Sequence, residues 1–430
     1  MSVALAEKLR AIVGAEHLAA GASLPVDGVT PRFVARPGSV AEVSRLLVLA
    51  HAEGLAVAPR GAGTALGLGN RPTRLDLVIA LGRLNRVVEY EPADVTVSVE
   101  AGMTLDDLER ALGKHRQLLP LDPPGWRART VGGALATNAS GPLRFRYGGA
   151  RDALLGVRFV QADGSVTWGG AKVVKSVTGY DTPKLMTGAL GTLGVIVEIT
   201  LRLHPAPECE RSWLLGFASL EAARGCLAAL LDSALQPSRI EILNDSALAA
   251  TGQPPAAAAL AVSIASVDEA VRAQGAELDR LGQAAGGTRR VADDFWDLYG
   301  SFFAGAGGVR LGIACLATSV TETVATVEAL ASRRGLTARI GGCAGVGALT
   351  AVLEGECPVD AWEPAILTPL RERLADEGGS VIVLQCPVAL KERIDVWGPI
   401  DSAALALMKR IKSEFDPKGV LNPGRFVGRI

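Results

Sequence analysis

Histidine is scarce in this chain. Four occur in 430 residues, His17, His51, His115 and His204, and none follows position 204. Histidine titrates near neutral pH and is the commonest metal ligand. The second half therefore offers no histidine base and no histidine-rich metal site. Cysteine is thin as well. Cys209, Cys226, Cys315, Cys343, Cys357 and Cys386 are scattered over the second half, and none is spaced as CxxC. Iron–sulfur clusters and structural zinc need tighter sets, so these read as buried, reduced thiols. Aromatic residues make up 4% of the chain, and the net charge is −1 with acids and bases interspersed. That balance argues against nucleic acid or an anionic membrane surface as the main partner. No uninterrupted apolar run approaches the ~20 residues of a bilayer-spanning helix. Met1 to Ala20 carries Glu7, Lys8, Arg10 and Glu16 in a helical pattern, unlike a secretory signal. A cytoplasmic protein with no transmembrane segment is expected.

Alanine and glycine are abundant, with 50 glycines and 49% apolar residues. A chain of this length should form two domains with substantial cores. The most informative segments are two glycine-rich tracts, Pro59 to Gly69 (PRGAGTALGLG) and Thr130 to Gly141 (TVGGALATNASG). A backbone stripped of side chains lets a large ligand approach closely, and its N–H groups can hold phosphate oxygens. Gly61, Gly63 and Gly67 nearly fit a dinucleotide-binding turn, but that fingerprint must open a helix. Here Gly67, Gly69 and Pro72 exclude one, and Leu75 to Leu81 reads as a strand. The lysine of a Walker loop is missing too. The first tract is thus a strand–loop–strand phosphate nest, with an ordinary glycine-rich connection as the bland alternative. Two such tracts in one domain suggest a long ligand lying across both.

Periodicity places the elements. Met1 to His17 is a helix, Phe33 to Arg36 a strand, and Ser39 to Glu53 a helix with Ser39 as N-cap and Gly54 as its stop. Ala56 to Pro59, Leu75 to Leu81, Val87 to Tyr90, Thr96 to Glu100 and Val195 to Leu203 read as strands. Thr104 caps a helix to Leu112. Leu154 to Gln161 and Ser165 to Trp168 form a hairpin about Ala162-Asp163-Gly164. The Pro-rich segment His204 to Pro207 marks a boundary. Beyond it strands (Trp213 to Phe217, Ile240 to Leu243, Ala259 to Ile264, Val309 to Cys315) alternate with helices (Leu220 to Ser233, Val267 to Leu281, Thr321 to Arg333). This predicts an α+β cap with helices on one face of a mostly antiparallel sheet. Ser402 to Ile430 is a helix and a Pro-containing tail. The expected domains are 1–206, 207–401 and the returning segment 402–430.

These segments resemble the FAD-binding superfamily of vanillyl-alcohol oxidase and p-cresol methylhydroxylase. The likeness runs through Ala35 to Gly67, the second tract, Arg151 to Val166, Val173 to Pro205, and the tail Phe415 to Phe426. The last two are most similar to the FAD-binding subunits of bacterial glycolate oxidases. The resemblance implies an α+β fold, a two-part FAD-binding domain with a cap, and a tail packing back on it. It also implies bound FAD. Pro59, Arg60, Gly61, Ala62, Gly63, Thr64 and Ala65 would hold the pyrophosphate, although Arg60 could equally pair with a nearby acid. Thr130, Gly132, Gly133, Thr137, Asn138, Ser140 and Gly141 would run beside the ribityl chain and flavin, with turn and cap chemistry as the alternative for the polar ones. Pro123 and Pro124, after Asp122, resemble an adenine-side segment. Gly194, Val195 and Ile196 resemble a backbone strip along a flavin or adenine edge, in a motif whose usual acidic residue is replaced. Asn422, in Asn-Pro-Gly, would close over the cofactor.

Relatives that bind FAD covalently use a histidine after the first turn, where this chain has Thr64, or a cysteine in the second tract, where Ala139 and Ser140 stand. Non-covalent FAD is therefore expected. The cap strand that carries histidine in autonomous relatives corresponds to Gly342-Cys343-Ala344-Gly345, so no metal is expected. Arg310 is the match for a carboxylate-binding arginine, with structural ion pairing as its alternative, and Tyr147 and Arg146 are further candidates. The implied activity is oxidation of a small 2-hydroxy acid. The implied partners are a second flavoprotein subunit and an iron–sulfur subunit, with peripheral contact to the inner membrane through them. An autonomous flavin enzyme acting on another alcohol, or a non-catalytic flavin-fold subunit, are the rival readings.

Overall fold

The computed structural model describes the whole chain except Met1, residues 172–178, 293 and 305–307. The VVKSVT portion of the resembling stretch, Val173 to Thr178, lies outside the described residues.

Besides a two-stranded pairing of 117–118 with 204–205, the described part of the first 205 residues builds two larger sheets. One is four-stranded, in the order 18–20, 33–35, 77–80, 57–60, with the last three strands parallel. Strand 77–80 is buried along its whole length, as a central parallel strand should be. The helix Val40–Glu53 crosses between the outer parallel strands. Ser39 caps it by accepting from the Glu42 amide, and Gly54 stops it in the left-handed conformation at φ 66°. Val43, Leu46, Leu47 and Ala50 face the sheet at helical spacing. The other sheet is antiparallel and five-stranded, in the order 87–91, 96–100, 195–202, 154–160, 166–170. Its expected hairpin closes at Gly164, whose φ is 92°.

The cap is one antiparallel sheet of eight strands, from 288–291 at one edge to 380–385 at the other. Helices 220–231, 268–284, 320–332 and 368–375 cover one face with a continuous apolar core. The expectation of helices on that face alone needs correction. Helices 245–250 and 295–304 pack on the opposite face against Leu214, Leu243, Ala259, Ala261 and Val352. The segment Phe295 to Ala304 is rich in aromatics, so its own burial requirement draws it onto the sheet.

The C-terminal helix 402–415 leads into a tail that returns to the first sheet. Val57 donates to Val420 and Asn422 donates to Val57, so Leu421 forms a parallel bridge with Val57. Strand 57–60, an edge in sequence terms, is thereby covered.

Candidate active site

The two glycine-rich tracts meet. Residues 61–76 contain no regular strand or helix, as their glycines and proline dictate. The second tract instead opens a short helix, Val131–Ala136, capped by the Thr130 hydroxyl accepting from the Gly133 amide at 3.1 Å. A Cβ at Gly61 would lie 2.0 Å from that same hydroxyl oxygen, so only glycine lets the first tract rest on the cap of the second. Gly63 takes φ 89°, a backbone conformation that side chains disfavour.

Between the tracts lies an open cleft of about 700 Å³. Its walls are Pro59 to Leu66, Leu81, Ala101, several positions of the second tract from Thr130 to Thr137, Leu190, Gly191, Gly194 and Ile196 of the strip, and the tail residues Asn422 and Arg425. Two cations line it, Arg60 and Arg425, and no carboxylate does among the described residues. The Nε atoms of both arginines are buried without a hydrogen-bond partner. None of the backbone N–H groups of Gly61 to Ala65 donates to a backbone carbonyl among the described residues. Burial lowers the pKa of each arginine, Arg36 adding to the effect at Arg60 and Asp27 opposing it at Arg425. Free amides, orphaned guanidinium nitrogens and absent acids together fit a phosphate-bearing anion.

Of the residues singled out in the sequence, Pro59, Arg60, Gly61, Ala62, Gly63, Thr64, Ala65, Thr130, Gly132, Gly133, Thr137, Gly194, Ile196 and Asn422 line this cleft. Others stand outside its walls. Val195 is fully buried in the core behind it, because alternation along the strand turns it away from Ile196. Asn138 takes φ 48° just after the short helix, serving as its turn. Gly141 packs on the Asp122 carbonyl, and the Ser140 Cβ lies near Gly149. Pro124 accepts from the Arg129 Nε at 2.8 Å, while Pro123 is buried beside it. Tyr147 stacks edge-on against His204 and lines a separate cavity between the first lobe and the cap. Sequence reasoning missed Leu66, Leu81, Ala101, Ala136, Leu190 and Arg425. Arg425 alone carried a signal, as the cation that directly follows the Asn422-Pro423-Gly424 turn.

The cap presents a second group of ionisable side chains on its inner face. Arg310 and Arg339 lie in register on either side of Val352, one strand away from each other's partner. Arg339 pairs with Glu354. The Arg310 Nε and Nη2 are buried with no partner among the described residues. Burial lowers the Arg310 pKa, Arg339 adding to the effect, and Arg310 in turn depresses Arg129, which is itself desolvated. On the same face Glu241 sits across from Cys343, and Tyr299 donates its hydroxyl to the Glu241 carboxylate. Burial raises the Glu241 pKa to about 8 and pushes the Cys343 thiol well above its ordinary range. Cys343 is thus an inert packed thiol. Among the described residues no group of three or more histidine, cysteine, aspartate or glutamate side chains is placed to hold a metal.

Comparison with known proteins gives the class. The chain superimposes on p-cresol methylhydroxylase with a TM-score of 0.77 at 16% identity, covering 99% of this chain and 96% of that one. The fold is therefore α+β of the p-cresol methylhydroxylase type, an FAD-binding domain followed by a cap. Residues 31–170 match the FAD binding domain family, and residues 206–349 and 399–426 match the C-terminal domain of the FAD linked oxidases. The chain belongs with the FAD-linked oxidoreductases, and FAD is its cofactor. It is 28% identical to an FAD-linked oxidoreductase of Mycobacterium tuberculosis over 97% of each chain. It is 28% identical to a D-lactate dehydrogenase of Archaeoglobus fulgidus over 92% of this chain and 91% of that one. It is 31% identical to the glycolate oxidase subunit GlcD of Bacillus subtilis over 51% of this chain and 46% of that one. No helix among the described residues is long and apolar enough to cross a membrane.

Proposed function

We propose that this chain is the FAD-binding subunit of a glycolate-oxidase-type enzyme that oxidises a small 2-hydroxy acid. The observation that carries the reading is Arg310, whose two buried, unpartnered nitrogens stand on the cap face close enough to Arg129 to depress its pKa. Paired cations without a counter-ion suit a small carboxylate, and arginine presents the fork that binds one in two places. Arg129 directly precedes Thr130, so the pair would hold the acid next to the second tract. Thr130, Thr137 and the strip Gly194 to Ile196 would hold the cofactor there, and the Gly61 to Ala65 loop its pyrophosphate. Bound FAD supplies a two-electron acceptor for the hydroxyl-bearing carbon. The activities named for the Bacillus and Archaeoglobus relatives support this substrate class.

The cap holds no histidine, and Glu241, the buried acid beside Cys343, is closed in by Tyr299. The cap therefore offers no histidine as a proton acceptor. This supports a subunit that works beside a second flavoprotein and passes electrons to an iron–sulfur subunit, meeting the inner membrane only through them. The deciding experiment is anaerobic titration of the purified chain, and of any complex it copurifies with, using glycolate and D-lactate. Flavin bleaching with dye reduction that requires the partners is expected. Turnover by the isolated chain as fast as by the complex, at matched flavin content, would show an autonomous enzyme instead.

A further inference from the structure

Two buried cations take the carbonyls of the first glycine-rich loop in alternation. The Lys391 Nζ donates to the Gly67 and Gly69 carbonyls, and the Arg425 Nη2 donates to those of Leu66 and Leu68. Four successive peptide oxygens are thus held, by residues more than 320 positions later in the chain. Lys391 and Arg425 are only 1% and 2% exposed. A buried ammonium is costly unless paired, and Lys391 meets that need through Asp27 at 2.9 Å. The surrounding contacts extend the tie. Asn70 accepts from the Val396 amide and donates to Asp395, while Trp397 Nε1 donates to the Arg425 carbonyl.

We infer that Lys391 and Arg425 are positioning residues for the cofactor's pyrophosphate. They fix the return limb of the loop, Leu66 to Gly69, so that the outgoing limb, Gly61 to Ala65, keeps its amides free toward the cleft. Two cations against one carboxylate, Asp27, also leave a surplus positive charge behind the loop, where an anion would sit in front. Because Lys391 lies beside the cap sheet's edge strand and Arg425 in the tail, the loop takes its shape only when both have docked. Phosphate affinity and the seating of the cap are therefore coupled. The inference rests on the FAD site lying in this cleft.

The test is a binding measurement on apoprotein, with FAD, ADP and riboflavin as probes. Lys391→Met should weaken FAD and ADP alike by about tenfold or more, the usual effect of losing charge-assisted hydrogen bonds. Riboflavin, which carries no phosphate, should bind as to the wild type. Lys391→Gln keeps a donor without the charge, tolerates burial better, and should give a smaller loss of the same pattern. Wild-type protein that binds none of the three would overturn the site itself. A folded Lys391→Gln or Lys391→Met chain with unchanged FAD and ADP affinity would overturn the positioning role alone. Equal losses for riboflavin and ADP would do the same, since a general collapse does not single out phosphate.

Discussion

The side-chain amide of Asn422 donates a 2.6 Å hydrogen bond to the carbonyl of Leu190, on the opposite wall of the cleft. Both residues take positive φ, 45° and 53°, so the tail and the strip turn toward each other at this contact. Asn422 is 2% exposed, and its backbone amide is already committed to Val57. It is a clasp between the last residues of the chain and the wall that precedes strand 195–202.

Replacing Asn422 with alanine leaves the Leu190 carbonyl buried without its donor. The cost should be about 1–3 kcal/mol, seen as a lower melting temperature and faster loss of flavin on dilution. A variant that melts and retains flavin like the wild type would contradict the clasp.

Gly61→Val should yield colourless, flavin-free protein. Its new Cβ would collide with the Thr130 hydroxyl that caps helix Val131–Ala136, so both tracts are disturbed by one side chain. Absorbance near the flavin bands of the purified variant is the measurement.

Flavin should leave the protein on acid precipitation. Thr64 lines the cleft where a linking histidine would stand, and no cysteine is among the cleft residues. Yellow colour in the supernatant is expected; colour that stays with the pellet would mean a covalent link.

Arg310→Met should raise KM for a 2-hydroxy acid by about tenfold to a hundredfold. Stability should hold or rise, because the arginine is desolvated and forms no ion pair among the described residues. Lower stability with unchanged KM would point to a structural arginine.

Glu241 gives a pH signature. Its pKa rises from 4.5 to about 8 on folding, mainly through burial. Between those values the unfolded chain has released the proton and the folded chain keeps it. Its contribution to stability is then full below 4.5 and lost as the pH climbs to about 8. Glu241→Gln removes the titration, so the variant's melting temperature should gain on the wild type between pH 5 and about 8.5. A gap that does not change with pH would refute the shifted carboxyl.

Local chemistry was legible in the sequence where it acts locally. Ser39, Thr104 and Gly54 cap and stop their helices where hydroxyls and glycine predict. The glycines of the first tract forbid a helix, and none forms. The second tract shares the glycine signal of an open backbone, yet Thr130 followed by small residues satisfies a cap, and a short helix results. The aromatic segment 295–304 carries no clear helical signal, because its apolar residues run together without a stripe. The two-sided cap follows from it.

By itself the sequence determined which backbone could lie close to a large anion, and which cap chemistry is missing, because glycine content and the lack of histidine are properties of composition. Tertiary structure alone decided that Gly61 rests on Thr130, that Arg310 comes near enough to Arg129 to act on it with no ion pair of its own among the described residues, and that Lys391 and Arg425 share the carbonyls of one loop. Those relations join segments tens to hundreds of residues apart. Pairing of buried charges and carbonyls is set by which surfaces meet in space, and no local periodicity encodes it.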